Sequence, residues 1–174
     1  THPPPFARPG DGTMSSPAVF ISYAHRDSRW KDELVRHLNV LEKLHNLQVW
    51  VDARISPGTE FVEEIRKAVE SSCVAVLLVS ADFLGSEFIL QEEIRWLLER
   101  RQEEGLRVLP ILIRDCLWEE VPWLAPLQVW PRDGRPLSAR RGNGIDAELK
   151  KISQEILRVV RHQTLARESY SRPN

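Results

Sequence analysis

The sequence predicts a doubly wound α/β domain, with a parallel sheet of about five strands and helices on both faces. Short apolar runs alternate with longer segments of helical periodicity across residues 17–162, which is typical of strands joined by helical crossovers. The third run, Cys73–Val79, is continuously apolar, as in a strand that is covered on both faces. A chain of 174 residues, 42% hydrophobic and 28% charged, is large enough to form such a domain without a metal or a disulfide.

The first half of the chain contributes two predicted strands and two predicted helices. Ala18–Ser22 and Leu47–Val51 are apolar runs of strand length. The helix between them begins at Asp27 or Ser28, since both residue types are natural N-caps. Its expected buried face consists of Trp30, Leu34, Leu38, Leu41 and Leu44. Thr59 can cap the second helix. The expected apolar side of that helix consists of Phe61, Ile65, Ala68 and Val69.

The second half contributes the remaining strands. Cys73–Val79 is followed by a helix whose expected buried stripe consists of Leu90, Ile94, Leu97 and Leu98. Arg107–Ile113 is the fourth strand, and Pro110 removes one ladder donor there, which favours an edge or a bulge. Leu127–Trp130 is a short fifth strand. The last helix buries Leu149, Ile152, Ile156 and Val159. Three tryptophans after the fourth strand are expected to pack on the sheet, with an intersubunit face as the alternative: Trp118, Trp123 and Trp130.

Both ends of the chain are predicted to be flexible. Residues 1–16 are rich in Pro, Gly and Ser and form a leader, in which Met14 is a candidate start. Residues 163–174 are predicted to be a flexible tail, so the domain spans residues 17–162.

Composition disfavours several kinds of partner. The formal net charge is −1 with both signs interspersed, whereas a nucleic-acid-binding domain normally carries a basic face. No apolar run approaches the roughly 20 residues that span a bilayer, and no signal-peptide pattern is present, so the expected location is the cytoplasm without membrane contact. Cys73 and Cys116 form no Cys-x-x-Cys unit, which argues against a zinc site or disulfide framework. Cys73 is expected to be a buried apolar residue, and Cys116 is a minor candidate for a reactive thiol.

The predicted topology locates a ligand site. Doubly wound sheets bind ligands beyond the carboxyl ends of the strands, where the strand order reverses. With the common order 2-1-3-4-5, that point lies between the first and third strands. The loops at this edge are Ser22–Asp27, Asp52–Gly58 and Ser80–Glu93.

Each loop has a functional and a plain interpretation. Tyr23, His25 and Arg26 offer hydrogen bonding, stacking and charge, but a polar capping loop has the same composition. Ile55 is an apolar residue at a polar loop tip, which favours a partner contact over a simple turn. Adjacent carboxylates such as Glu92 and Glu93 are common on solvated helices. Gly-rich phosphate loops, G-x-S-x-G and H-E-x-x-H are all absent, which disfavours kinase, dehydrogenase, hydrolase-triad and metalloprotease functions.

In order, these segments resemble the boxes of a TIR (Toll/interleukin-1 receptor) domain. FISYAHRD at residues 20–27 is similar to the first box, and VWVDARISPG at residues 49–58 to the second, which contains the BB loop of the family. AVLLVSADFLGSEFILQEEI at residues 75–94 is similar to the central strand and the helix that bears a Glu. RVLPILIRDCLW and LQVWPRDGRPL resemble the prokaryote-type branch. The resemblance covers about residues 17–160 and implies a flavodoxin-like fold.

Enzymatic members of this family cleave the nicotinamide–ribose bond of NAD+, with a Glu after the third strand as the catalytic residue. That Glu usually precedes an aliphatic residue on the buried stripe, which selects Glu93 before Ile94. Counting from the upstream aromatic Phe88 selects Glu92 instead, so Glu92 is the reserve. NAD+ would be the substrate, and the resemblance implies neither a cofactor nor a metal.

The resemblance also assigns binding residues. The implied substrate-binding residues are Tyr23, Ala24, His25, Arg26, Ser56, Phe61 and Phe88. Several NAD+-cleaving members carry Arg or Lys in the first loop where this chain has Ala24 and His25, so Arg26 is the expected substitute. The BB loop, with residues Arg54, Ile55, Ser56, Pro57 and Gly58, would pack on a neighbouring TIR domain and complete the site.

Two classes of function follow. One is an NAD+-consuming enzyme that gives ADP-ribose or a cyclic isomer, acting in self-assembling immune or stress signalling. The other is a non-catalytic adaptor that acts by homotypic association. In both, the expected partners are other TIR domains and further domains of a longer protein.

Overall fold

The computed structural model describes residues 16–53, 67–86 and 94–170. Its strands are β1 (Ala18–Tyr23), β2 (Gln48–Ala53), β3 (Ser72–Val79) and β4 (Arg107–Leu112). Its helices are α1 (Ser28–His45), α2 (residues 67–71), α3 (Ala81–Leu84), α4 (Ile94–Glu104) and α5 (Asn143–Tyr170). Short 3-10 helices occupy His25–Asp27, Trp118–Glu120 and Leu137–Ala139.

The four strands form one parallel sheet in the order β2-β1-β3-β4. Ile21 on β1 lies between Val51 on β2 and Val76 on β3, so the strand order reverses at β1. This is the predicted doubly wound architecture, and it places the reversal between β1 and β3. The expected site edge is therefore the end of the sheet where Tyr23 and Val79 finish their strands.

The fifth strand is shorter than predicted. Trp130 pairs with β4 through one parallel bridge to Ile111: its N–H donates to Pro110 O at 2.9 Å, and its carbonyl accepts from Leu112 N at 2.7 Å. The ladder cannot extend toward the start of the predicted strand, because Pro110, whose nitrogen faces this outer edge of β4, has no N–H to donate. The prediction of about five strands therefore becomes four strands and a bridge.

Helices cover both faces of the sheet. The side chains of Val19, Ile21 and Tyr23 pack with α1 and α5, whereas Phe20 and Ala24 pack with α2 and α4. β3 is buried along its whole length, as its continuous apolar run predicts. The predicted faces of α5 and the end of α2 are confirmed: Leu149, Ile152, Ile156 and Val159 on α5, and Ala68 and Val69 on α2, are all buried.

The buried face of α1 is confirmed except at its end. Trp30, Leu34, Leu38 and Leu41 are buried, but Leu44 is 71% exposed. Leu44 lies in the last turn, and Asn46 then adopts a left-handed conformation with φ of 53°, which turns the chain toward β2. Leu47, the next apolar residue along the chain, is buried in the core.

The last helix is longer than predicted. α5 continues to Tyr170, so residues 163–170 are helical and not the flexible tail that was expected. The Gln163 amide donates to the carbonyls of Cys73 at 3.2 Å and Gly105 at 3.3 Å, which attaches the helix to the amino edge of the sheet. The remaining parts of the predicted leader and tail, residues 1–15 and 171–174, lie outside the described residues.

The three tryptophans that follow β4 pack on the domain, as expected. Trp130 is buried among residues of the α1–α5 face, and the Arg132 guanidinium lies 4.6 Å from its ring centroid. Trp118 and Trp123 are half-buried and pack against the opposite core. The three tryptophans therefore belong to two different cores and do not form one cluster.

Candidate functional site

The positions of the first-loop residues continue the pattern of β1, in which successive side chains lie on opposite faces of the sheet. Tyr23 is 3% exposed and packs on the α1 face, where the Lys31 ammonium lies 5.4 Å from its ring centroid. Ala24 is 8% exposed on the other face. His25 and Arg26 are exposed at the carboxyl edge, so theirs are the side chains of this loop that a ligand can reach.

Asp27 ends the loop and is fully buried. It was expected to cap α1, but its side chain makes no capping hydrogen bond. Its Oδ2 accepts a hydrogen bond from Ser80 Oγ at 2.5 Å, across the boundary between β1 and β3. Its backbone N–H donates to Ala24 O at 2.8 Å, which closes the short 3-10 helix and fixes the carboxylate at the edge of the sheet.

Ser80 connects this carboxylate to the segment after β3. Its Oγ accepts from the Phe83 N–H at 3.1 Å and so caps α3, while its own hydroxyl proton is donated to Asp27. Phe83 is fully buried against the α4 face. The first loop and the beginning of the Glu92–Glu93 segment therefore share one buried hydrogen-bond chain.

The exit of β4 contributes a cation to the same point. Arg114 Nε lies 3.7 Å from Asp27 Oδ1, and its side chain is 55% exposed. That distance is an ion pair but too long for a hydrogen bond. Among the described residues, Asp27 Oδ1 accepts no hydrogen bond. Three strand exits thus converge on a single carboxylate.

Most of the other predicted site residues fall outside the described residues. These are Arg54, Ile55, Ser56, Pro57, Gly58, Phe61, Phe88, Glu92 and Glu93. The described chain reaches Ala53 at the carboxyl end of β2, and it reaches Ser86 on one side and Ile94 on the other side of the Glu92–Glu93 segment.

The polar network was missed at the sequence level. Asp27 was interpreted as a cap at the end of the first loop, Ser80 only as the first residue of the third loop, and Arg114 was given no individual role. One signal was present: a single Ser directly after a fully buried strand and three residues before an apolar Phe is a local capping pattern. The partnership with Asp27 carries no local signal.

A second concavity lies beside the network, on the α1–α5 face. It has a volume of about 510 Å³ and is lined by Arg29, Trp30, Arg114, Asp115, Ser138, Arg140 and Ile145. Arg140 is already paired with Asp133 at 2.5 Å and Glu148 at 3.3 Å.

Other site chemistries have little support. Cys116 is half-buried, and burial raises the pKa of its thiol, which keeps it protonated at neutral pH and disfavours a reactive thiolate. Cys73 is buried and donates to Ala18 O. Within residues 16–53, 67–86 and 94–170, no group of His, Cys, Asp and Glu is arranged to hold a metal. None of the described helices is both long and apolar enough to cross a bilayer.

Comparison with known proteins decides the family. The family model for the TIR domain matches residues 19–152. The chain is a TIR domain. The match begins one residue into β1 and ends within α5, so it spans the described sheet and the whole Asp27–Ser80–Arg114 network.

Two individual proteins resemble this TIR domain. An uncharacterised protein of Sinorhizobium fredii (strain NBRC 101917 / NGR234), y4lF, is 34% identical over 122 residues. Those residues are 70% of this chain and 38% of y4lF, so the chain spans well under half of that relative. Among solved structures, the TIR domains of the activated Roq1 resistosome, which recognises the pathogen effector XopQ, match with a TM-score of 0.47 and 21% identity over 84% of each chain.

Proposed function

We propose that this TIR domain is an NAD+ glycohydrolase that cleaves the nicotinamide–ribose bond, with Glu93 as its catalytic residue and Glu92 as the reserve. One observation carries the proposal. The buried Asp27–Ser80 hydrogen bond joins the exposed His25–Arg26 loop to the segment that leads to Glu92 and Glu93, at the point where the strand order reverses.

The chemistry needs few groups. The C1′–N bond of the nicotinamide riboside breaks, its electron pair leaves with neutral nicotinamide, and the ribose becomes oxocarbenium-like. A fixed carboxylate stabilises that positive charge and accepts hydrogen bonds from ribose hydroxyls. Water then attacks C1′ and loses a proton, giving ADP-ribose. If a nitrogen of the adenine ring attacks instead, the product is a cyclic isomer.

The accessible first-loop side chains suit the phosphates of NAD+. Arg26 is an exposed cation beside the site edge and would bind the diphosphate, with His25 as a second donor. Tyr23 and Ala24 are at most 8% exposed, so they would form the floor of the cleft. Ser56, Phe61 and Phe88 are proposed to line the remaining walls.

The site is proposed to be completed by a second copy. The BB loop, Arg54–Gly58, would place Ile55 against a neighbouring TIR domain in a head-to-tail arrangement that extends into filaments. Immune or stress signalling, a cytoplasmic location and further domains in a longer protein belong to the same proposal, as does the absence of nucleic-acid and membrane partners.

A non-catalytic adaptor is the second candidate, and exposed apolar side chains on two helices favour it. Val40 and Leu44 on α1 are 55% and 71% exposed, and Leu165 on α5 is 63% exposed. Association through such side chains requires no catalytic carboxylate.

A concentration series separates the two functions. Nicotinamide release from NAD+ is measured for the wild-type domain from micromolar to high concentration, with and without a crowding agent, alongside its assembly state. The enzyme predicts release per molecule that rises as assembly increases. If the assembled domain releases no nicotinamide, the enzyme proposal is contradicted and the adaptor function is supported.

A further inference from the structure

We infer that Asp27 is a positioning residue, which acts through Ser80 to hold the start of the Glu92–Glu93 segment against the first loop, with Arg114 as its counter-charge. The inference rests on the proposed function and deepens it. Asp27 is fully buried and so acts on the reaction without touching the substrate.

The Asp27 carboxylate does not make the helix-capping hydrogen bond that its position before α1 would allow. An Asp before a helix usually accepts a hydrogen bond from the first turn, which stabilises the helix. Asp27 makes no such bond to α1. Its Oδ2 instead accepts from Ser80, 53 residues away, so the tertiary contact has replaced the local one.

Burying the Asp27 carboxylate carries a cost in folding free energy. A buried carboxylate requires partners for both oxygens, because an oxygen without one loses its hydration and gains nothing in return. Oδ2 has the Ser80 hydroxyl, whereas the nearest cation that the described residues offer Oδ1 is the Arg114 guanidinium at 3.7 Å. An apolar residue at this position would avoid that cost, so the charge points to a role other than stability.

Ser80 transmits the position of Asp27. A hydroxyl carries one proton, and that proton is donated to Asp27, so its lone pairs are left for the Phe83 N–H. The orientation of the α3 cap is therefore fixed by Asp27. α3 ends at Leu84, and the chain reaches residues 87–93 three residues later.

Ser72 supplies a matched control at the other end of the same strand. It is 1% exposed, and its Oγ donates to Ala68 O at 2.6 Å. Ser72→Ala removes a buried serine hydrogen bond from β3, as Ser80→Ala does, but far from the carboxyl edge.

The experiment measures kcat, KM and the free energy of unfolding for Asp27→Asn, Ser80→Ala, their double variant and Ser72→Ala, all under assembling conditions. We expect Asp27→Asn and Ser80→Ala to lower kcat by about 10-fold or more with KM within about 2-fold, and the double variant to be no worse than either single one. Ser80→Thr restores a hydroxyl and is expected to recover most of kcat. Ser72→Ala is expected to lose stability without losing kcat.

Two outcomes overturn the inference. One is an unchanged kcat in folded Asp27→Asn and Ser80→Ala. The other is a loss of kcat in Ser72→Ala equal to theirs, which would make the effect a general loss of stability. Hydrogen exchange of residues 80–86 tests the coupling without an activity assay. The amide of Phe83 is expected to exchange faster in Asp27→Asn than in Ser72→Ala. Equal exchange in the two variants contradicts the coupling. An inactive wild type with the expected exchange difference overturns the proposed function but supports the coupling.

Discussion

Asp27 and Ser80, at the exits of β1 and β3, are joined by a 2.5 Å hydrogen bond inside the protein. Each has a local alternative: Asp27 precedes α1, and Ser80 precedes α3. Ser80 satisfies its local helix and Asp27 does not. The bond thus sets the relative position of the two loops that bracket the strand reversal, the place where a doubly wound sheet binds its ligand.

The packing of α1 predicts a large difference between two leucines on the same helix. Leu34 is fully buried, so Leu34→Ala is expected to lower the free energy of unfolding by about 2–5 kcal/mol. Leu44→Ala is the matched control, because Leu44 is 71% exposed, and it should change stability by no more than about 0.5 kcal/mol. Denaturant unfolding measures both. A similar loss in the two variants would place Leu44 in the core after all.

Gln163 is predicted to hold the end of α5. Gln163→Ala removes the hydrogen bonds to Cys73 O and Gly105 O, so the amides of residues 164–170 should exchange faster. Gln154→Ala, on the exposed side of the same helix, is the control and should leave that exchange unchanged. Slow exchange that survives Gln163→Ala would show that these bonds do not anchor the helix.

Glu155 is predicted to make a pH-dependent contribution to stability. The hydrogen bonds from Arg158 hold the pKa of Glu155 below its ordinary value. Because the folded-state pKa is lowered, the contribution is fully present above the pKa of an unfolded glutamate, near ~4.3, and is lost as pH falls through the folded-state pKa. Glu155→Gln should therefore lower the melting temperature slightly at pH 7, by no more than about 2 °C, since the side chain of Arg158 is 64% exposed. The difference should disappear once the pH has fallen below the folded-state pKa; a difference that stays constant as the pH is lowered through the acidic range would contradict the assignment.

The BB loop is predicted to control assembly. Gly58→Pro restricts the turn, so it should reduce self-association and, with it, the concentration-dependent release of nicotinamide. Light scattering and the NAD+ assay measure the two effects on one sample. Unchanged assembly would remove the proposed role of Arg54–Gly58.

Periodicity was sufficient to predict the architecture. The continuous apolar run of β3 predicted a strand covered on both faces, and the leucines of α1 predicted its buried stripe. The limits of elements were less predictable. α5 passes the expected boundary at 162, where Gln163 donates to the distant carbonyls of Cys73 and Gly105, and the fifth strand is reduced to one bridge beside Pro110.

The position of the candidate site could be predicted from the sequence, but its hydrogen-bond network could not. Topology alone located the carboxyl edge between β1 and β3, and the alternation of β1 places Tyr23 on the α1 face with Val19 and Ile21. The Asp27–Ser80 bond links residues 53 positions apart, and local sequence favours capping for both. Which partner wins is decided by tertiary geometry, which no local pattern contains.

The most direct measurement is nicotinamide release from NAD+ by the assembled wild type, Glu93→Gln and Glu92→Gln. The substitution keeps the shape of the side chain and removes its charge, so the loss of the catalytic carboxylate should lower the rate by about 100-fold or more. We predict release by the wild type and by Glu92→Gln, and its loss in Glu93→Gln. Loss in Glu92→Gln alone would move the catalytic role by one residue. No release by the assembled wild type, or equal rates in all three proteins, would contradict the proposed enzyme.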